Sequence, residues 1–396
     1  MPKIVIENLY KIFGAHPERA VKLLEQGASK DEILKKTKLG VGVNDASFSV
    51  EEGEIVVVMG LSGSGKSTLV RCINRLIEPT SGKVFVDGVD VRGLDPQGLR
   101  ELRLNKLGMV FQNFALYPHR TVLQNAEYGL EIKGVDATAR REKAAQALDL
   151  VGLGGWENSY PRQLSGGMQQ RVGLARALAL DADILLMDEA FSALDPLIRR
   201  DMQDELINLQ EQMQKTILFI SHDLDEALKL GDRIVLMKDG RIVQIGTPEE
   251  ILTEPADDYV RRFVEEVDIT KVLTAESVMK KSEAVAHLAT DGPRATIRKM
   301  KQAAISSCFV VDREHRLQGI VTVEDCVRLA GEGVRSLESI VRTDIQTVNP
   351  ETPAQDLIQI IHDLPYPLAV VNEHNRLKGV IVRGTLLGAI AERGTA

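Results

Sequence analysis

The chain has 396 residues, a formal net charge of −8, 27% charged and 44% hydrophobic residues. That length accommodates two or three compact units, each with its own core, and the acidic balance argues against bulk nucleic-acid binding, which draws on a basic surface. The longest apolar runs, such as Ile55–Met59, fall far short of the ~20 residues needed to span a bilayer, so any membrane link is expected to come through a partner. Cys72, Cys308 and Cys326 show no metal or redox spacing and read as reduced thiols of a cytoplasm.

Ile4–Leu9 has the pattern of a first strand. The stretch from Gly14 to Gly40 then departs from it: Ala20, Val21, Leu23 and Leu24 have helical spacing, and Ser29 with Glu32 forms a capping box that opens a second short helix. Strands are predicted at Val43–Val50, Ile55–Met59, Lys83–Val86, Met109–Gln112, Ile184–Asp188, Thr216–Ser221 and Arg233–Lys238, alternating with helices. Such alternation indicates an α/β domain with a mainly parallel sheet. Between Phe114 and Ala175 the pattern turns mostly helical, which predicts a helical subdomain at about 114–175 inside a first unit covering 1–265. Glu265–Lys271 reads as a connection. Beyond it lies an internal repeat, Val310–Val321 resembling Val370–Ile381 with Gly319 matched to Gly379 sixty residues on. Each copy reads strand, polar turn, strand, helix, and the two are assigned to 270–335 and 336–396.

Gly60, Leu61, Ser62, Gly63, Ser64, Gly65, Lys66 and Ser67, with Thr68 after them, fit a phosphate-binding loop between the strand Ile55–Met59 and the apolar helix Leu69–Leu76. The glycines let backbone N–H groups turn toward phosphate oxygens, and the helix N-terminus adds positive potential. Lys66 is expected to reach the β- and γ-phosphates and Ser67 to ligate Mg²⁺. The apolar strand Ile184–Asp188 ends beside a second carboxylate, which suits a division of labour: Asp188 in the Mg²⁺ shell, Glu189 orienting and deprotonating the attacking water. Gln112 is placed for a water or metal contact. His222 follows the last core strand, where ligands meet an α/β sheet, and is assigned to the γ-phosphate.

Leu164-Ser165-Gly166-Gly167-Met168-Gln169 opens a helix with Ser165 as N-cap. Its exposed N–H groups suit a second phosphate. With one phosphate loop per chain, that phosphate is expected to be the γ-phosphate held on another subunit, so hydrolysis depends on dimer closure.

This ordered set resembles the ATP-binding-cassette ATPases over about residues 1–265: Walker A at Gly60–Ser67, Q-loop at Gln112, signature at Leu164–Gln169, Walker B at Ile184–Asp188, D-loop with Asp195, and switch histidine His222. The resemblance implies ATP and Mg²⁺ as cofactors and an aromatic residue stacked on adenine, either Phe13 or Tyr10. The insertion at Gly14–Gly40, with the sequences around Walker A and Asp188, looks like the glycine betaine/proline betaine/carnitine importers. The tail resembles tandem CBS domains. The fold implied is a P-loop cassette with a RecA-like core and a helical subdomain, followed by an α+β CBS module. The function implied is a transport-coupled ATPase at the cytoplasmic face of a bacterial inner membrane. Its implied partners are a second ATPase subunit and a membrane permease with a substrate-binding domain, and no nucleic acid. A cassette of translation or DNA repair, or a non-hydrolysing sensor, fits less well with the single phosphate loop and the intact Glu189 and His222.

In CBS domains a Thr/Ser-x-x-Asp often holds a ribose; Thr322 and Asp325 match it, whereas Val382–Thr385 lacks the acid. One nucleotide site, with cyclic di-AMP the favoured adenine nucleotide, is therefore expected. Two alternatives stay open. One is an ionic-strength response through Arg294, Arg298, Lys299 and Lys301 on an anionic lipid surface. The other is a dimer brace without a ligand, on a cassette importing a different small polar solute.

Overall fold

The computed structural model describes residues 2–265, 273–282, 284–362 and 364–394. The expected connection lies, beyond Glu265, outside the described residues. The chain divides into two compact units, Met1–Val264 and Glu265–Ala396.

The first unit opens with β1 (Ile4–Phe13), α1 (Glu18–Glu25), α2 (Lys30–Thr37), β2 (Gly40–Val50), β3 (Ile55–Met59), α3 (Lys66–Ile73), β4 (Ser81–Val86), β5 (Val89–Asp90), α4 (Pro96–Lys106) and β6 (Leu107–Phe111). A helical stretch follows: α5 (Val122–Ala126), α6 (Tyr128–Ile132), α7 (Ala137–Leu150) and α8 (Gly166–Ala179). Then come β7 (Ile184–Asp188), α9 (Pro196–Met213), β8 (Thr216–Ile220), α10 (Leu224–Leu230), β9 (Arg233–Lys238), β10 (Arg241–Gly246), α11 (Pro248–Thr253) and α12 (Asp258–Val264).

The central sheet has the order β10-β9-β3-β8-β7-β6 and is parallel except at β10. Strands β3, β7 and β8 are buried along their whole length. This is why they read as continuous apolar runs, as expected of parallel strands covered on both faces. The alternation pattern did not separate a second sheet, β2-β1-β4-β5, which is antiparallel throughout. Ile4, Ile6 and Leu9 of that sheet share one core with Val56, Val58 and Leu218 of the parallel one. Gln112 and Ser221, read as strand residues from sequence, lie just past the ends of β6 and β8.

The insertion forms the two predicted helices. Ser29 Oγ accepts from Glu32 N–H while the Glu32 carboxylate accepts from Ser29 N–H, completing the capping box. Ala20, Leu24 and Ile33 bury against Ile12, Leu39 and Val41 as a satellite core. Ile33 is fully buried there, so Ile33→Ala is expected to cost about 2–5 kcal/mol locally. Hydrogen exchange checks it: amides of α2 should speed up while those of β3 and β8 stay protected.

The second unit contains α13 (Ala275–Val278), β11 (Val285–His287), α14 (Pro293–Gln302), β12 (Ser307–Val311), β13 (Leu317–Thr322), α15 (Val323–Gly331), β14 (Thr347–Val348), α16 (Ala354–His362), β15 (Leu368–Val371), β16 (Leu377–Ile381) and α17 (Arg383–Gly394). Two three-stranded sheets, β11-β12-β13 and β14-β15-β16, carry the repeat. Each has one parallel and one antiparallel pairing. The segment ahead of each sheet pairs with the other repeat: Lys280 exchanges both backbone hydrogen bonds with Val380 at 2.9 Å, and Arg342 exchanges both with Ile320 at 2.9 and 3.0 Å. The hairpin turns also join reciprocally, Leu317 N–H to Asn375 O at 2.8 Å and Leu377 N–H to His315 O at 3.1 Å.

Candidate nucleotide and catalytic site

The phosphate loop leaves the C-terminal end of β3, where parallel α/β sheets present their ligand crevice. Gly60 and Gly65 have φ of +145° and +106°, and a side chain at either would collide with backbone, the carbonyls of Met237 and Gly42 respectively. Leu61, Ser62 and Gly63 are exposed, Ser67 and Thr68 half-buried, and Ser64 and Lys66 buried. The Ser64 hydroxyl has no hydrogen-bond partner among the described residues. Lys66 Nζ donates to the carbonyls of Gly60 at 2.8 Å and Leu61 at 3.2 Å. Burial pulls its pKa below the usual lysine value, and the carboxylates of Glu189 and Asp188 oppose that shift.

The adjacent strands deliver the acids. Asp188, the last residue of β7, is buried, and its Oδ2 accepts from Arg71 Nη2 of α3 at 3.0 Å. Glu189 follows with φ +49°, a left-handed conformation that is costly for a side-chain-bearing residue and concentrates at functional sites. Its Oε2 accepts from Gln112 Nε2 at 3.2 Å and lies 3.5 Å from His222 Nδ1. Gln112 also donates to Ser192 Oγ at 3.2 Å. Thus Gln112, Glu189, Ser192 and His222 meet in one cluster at the ends of β6, β7 and β8.

Sequence reading missed the support behind His222. Ser221 Oγ donates to Glu226, which also accepts from Gln203 Nε2 at 3.1 Å. Asp223 caps α10 through Glu226 N–H and pairs with Arg199 at 3.2 Å. Burial raises the Glu226 pKa, while the bonds from Ser221 and Gln203 pull it down. The signal available in the sequence was Asp223 followed three residues later by Glu226, a helix start directly after His222.

The helix-opening segment makes its hydrogen bonds within itself. Ser165 Oγ accepts from Met168 N–H at 3.3 Å, and Gln169 Nε2 donates to the carbonyls of Pro161 at 3.1 Å and Leu164 at 3.2 Å. Leu164 and Gly167 are buried, and a Cβ at Gly167 would collide with Ile198 of α9. Ser165 and Gly166 are exposed, as are Asp195 and Leu197 at the start of α9. Phe13 ends β1 with its ring exposed, beside Gly42 and with Lys11 Nζ at 5.0 Å from the centroid. Tyr10 instead packs on the insertion core.

In the second unit, Thr322 caps α15 and donates to Asp325 Oδ2 at 3.0 Å. Asp325 also accepts from Arg342 at 2.9 Å and Arg328 at 3.1 Å, and the Arg342 bond chiefly holds its pKa low. A cleft of about 260 Å³ between the repeats is lined instead by Lys280, Ser282, Phe309, Pro367, Val382 and Thr385, among others.

The ABC transporter family profile matches residues 43–192, and the CBS domain profile matches 275–332 and 337–392. The glycine betaine transport ATP-binding protein OpuAA of Bacillus subtilis (strain 168) is 56% identical over 98% of this chain and 92% of its own length. The glycine betaine/carnitine transport ATP-binding protein GbuA of Listeria monocytogenes serotype 1/2a (strain 10403S) is 55% identical over 99% of this chain and 98% of its own. Among solved structures, a dimeric post-hydrolysis state of an ATP-binding cassette bound to ADP and Pi superposes with a TM-score of 0.53 at 32% identity, covering 62% of this chain and 98% of the other. With the phosphate loop, the paired acids of β7 and the duplicated tail all present, this chain belongs to the ATP-binding subunits of ABC transporters that carry a tandem of CBS domains.

Proposed function

We propose that the chain hydrolyses ATP to power import of glycine betaine or a related quaternary amine, such as proline betaine or carnitine, through a separate membrane permease with its own substrate-binding domain. The observation that carries the ATPase reading is the convergence of Gln112, Glu189 and His222 beside the loop that bears Lys66. The solute class rests on the near-full-length identity to the two importer subunits.

The donor set fits a Mg–ATP complex: loop N–H groups, the Ser64 hydroxyl, which has no partner among the described residues, and hard oxygen donors from Ser67, Gln112 and Asp188 of the kind Mg²⁺ takes. Bound Mg–ATP supplies the γ-phosphoryl group and the cation that offsets its charge. Lys66 holds the β- and γ-phosphates. Arg71 holds the Asp188 carboxylate in place through its hydrogen bond at 3.0 Å. Glu189 accepts a proton from the attacking water, Gln112 holds that carboxylate in place, and His222 donates toward the γ-phosphate. Phe13, with its exposed ring, stacks on adenine; Tyr10 is committed elsewhere. Ser165, Gly166, Gly167 and Gln169, with the exposed Asp195, close over the site of a second copy, which makes the working form a homodimer.

No described helix is long and apolar enough to cross a membrane. Under this proposal the chain works at the cytoplasmic face of the membrane, attached through the permease. The CBS module is proposed to take an adenine nucleotide such as cyclic di-AMP. Asp325 already carries two arginines, which favours the 260 Å³ cleft beside Thr385 over the Thr322–Asp325 corner. A lipid-surface role retains three of its four cations, since Lys299 is tied to Asp291 at 2.7 Å and to the Val285 carbonyl at 3.0 Å.

The test is co-expression with its permease and reconstitution in vesicles. ATP-dependent uptake of labelled glycine betaine, lost in Lys66→Ala, is the expected result. Uptake of no quaternary amine by an assembled, ATP-hydrolysing complex would overturn the solute assignment.

A further inference from the structure

Two side chains from elements outside the family-matched segment 43–192 reach the tip of the phosphate loop. Lys30, the first residue of α2 in the insertion, donates from Nζ to the Gly63 carbonyl at 2.9 Å. Tyr259, on α12, sits beside Leu61: burial raises its phenol pKa, and the Leu61 backbone opposes that shift. The Tyr259 hydroxyl oxygen is buried and has no hydrogen-bond partner among the described residues. The Tyr259 ring is fixed in turn by Lys238, whose Nζ lies 4.4 Å from its centroid. Lys238 ends β9, next to the Met237 carbonyl that crowds Gly60.

The turn so gripped has little rigidity of its own. Leu61, Ser62 and Gly63 are exposed, and Gly63 has φ +79°. One bond within the turn closes it, Ser64 N–H to the Leu61 carbonyl at 3.1 Å, and its ends are met by Lys66 Nζ at the Leu61 carbonyl, 3.2 Å, and Gly240 N–H at the Ser64 carbonyl, 2.9 Å. A loop that must order around a ligand loses binding free energy to that ordering, and external anchors reduce the loss. Lys30 suits the task because no carboxylate among the described residues pairs with it, and the neighbouring Glu32 is committed to the Ser29 cap.

We propose that Lys30 and Tyr259 are positioning residues that clamp the Leu61–Ser64 turn from two sides and hold the phosphate loop in its nucleotide-binding shape. The clamp rests on the reading of Gly60–Ser67 as the phosphate loop. It gives the insertion a role: α1, α2 and their satellite core form the rigid base from which Lys30 reaches the loop.

The test uses the full chain, with binding of a fluorescent methylanthraniloyl-ATP and steady-state ATPase kinetics side by side. Tyr259→Phe removes the hydroxyl and keeps the ring over Lys238; Lys30→Met removes the donor and keeps the stem. Each is expected to weaken binding and raise KM by about two- to tenfold, with kcat held within about twofold. The double variant should fall short of the product of the two, since both anchors hold one turn, and Lys30→Arg should restore binding. Binding and KM unchanged in both single variants, or a fall in kcat at constant KM, would overturn the clamp. Lys66→Ala, run in parallel, separates the layers. Loss of binding there with none in the clamp variants removes the clamp alone, whereas full binding in Lys66→Ala removes the phosphate-loop assignment beneath it.

Discussion

Glu189→Gln retains nucleotide binding and loses turnover by roughly 10²–10⁴-fold, the usual contribution of a general base. The change is nearly isosteric. Gln112 donates to Glu189 Oε2 at 3.2 Å, and a glutamine oxygen accepts the same bond, so the cluster with Ser192 and His222 keeps its shape. What disappears is the basicity that takes the proton from water. The left-handed backbone at Glu189, φ +49°, tolerates either side chain equally, so folding stability is not the variable. Equilibrium binding of methylanthraniloyl-ATP and single-turnover hydrolysis separate the two effects. A variant that still turns over at more than about a tenth of the wild-type rate would move the base elsewhere.

The second large effect belongs to Ser165→Arg, which is expected to abolish ATPase activity by roughly 10³-fold or more while each chain still binds nucleotide, by analogy with charge stabilisers supplied from a second subunit. Ser165 also caps α8 through Met168 N–H, so part of any loss could come from a frayed helix worth about 1 kcal/mol. Ser165→Asp separates the two. It preserves the cap and sets a carboxylate against the partner's phosphate, so it should lose turnover at unchanged melting temperature. Mixing is the sharper measurement. Ser165→Arg and Glu189→Gln chains are each inactive alone, yet their heterodimer contains one intact composite site and should hydrolyse ATP. No recovery on mixing would place the whole reaction within one chain.

Much of this machinery was legible because its information is local. The phosphate loop is a contiguous run whose glycines are demanded by backbone crowding at Gly60 and Gly65. The parallel strands announce themselves by burial on both faces, and the Ser29 capping box spans four residues. The repeat showed through its turn residues, which recur where two hairpins need the same geometry. What stayed hidden depends on pairs distant in sequence. Arg342 neutralises Asp325 from 17 residues away, and Lys30 meets Gly63 across 33; neither leaves a periodicity or a motif. The antiparallel sheet of β1, β2, β4 and β5 was missed for a related reason: strands of either orientation alternate with helices in the chain, and only pairing tells them apart. Tyr10 and Phe13 could be ranked as adenine platforms only once the insertion core was seen to absorb the former.

The exchanged backbone bonds of the tail, Lys280 with Val380 and Arg342 with Ile320, have a consequence for how the halves can change. Each half lends an arm to its neighbour, as in a domain-swapped pair fused end to end. Neither can be pulled out, cut away or replaced by duplication without stranding hydrogen-bonding groups on the one left behind. The embrace obliges the two halves to melt together.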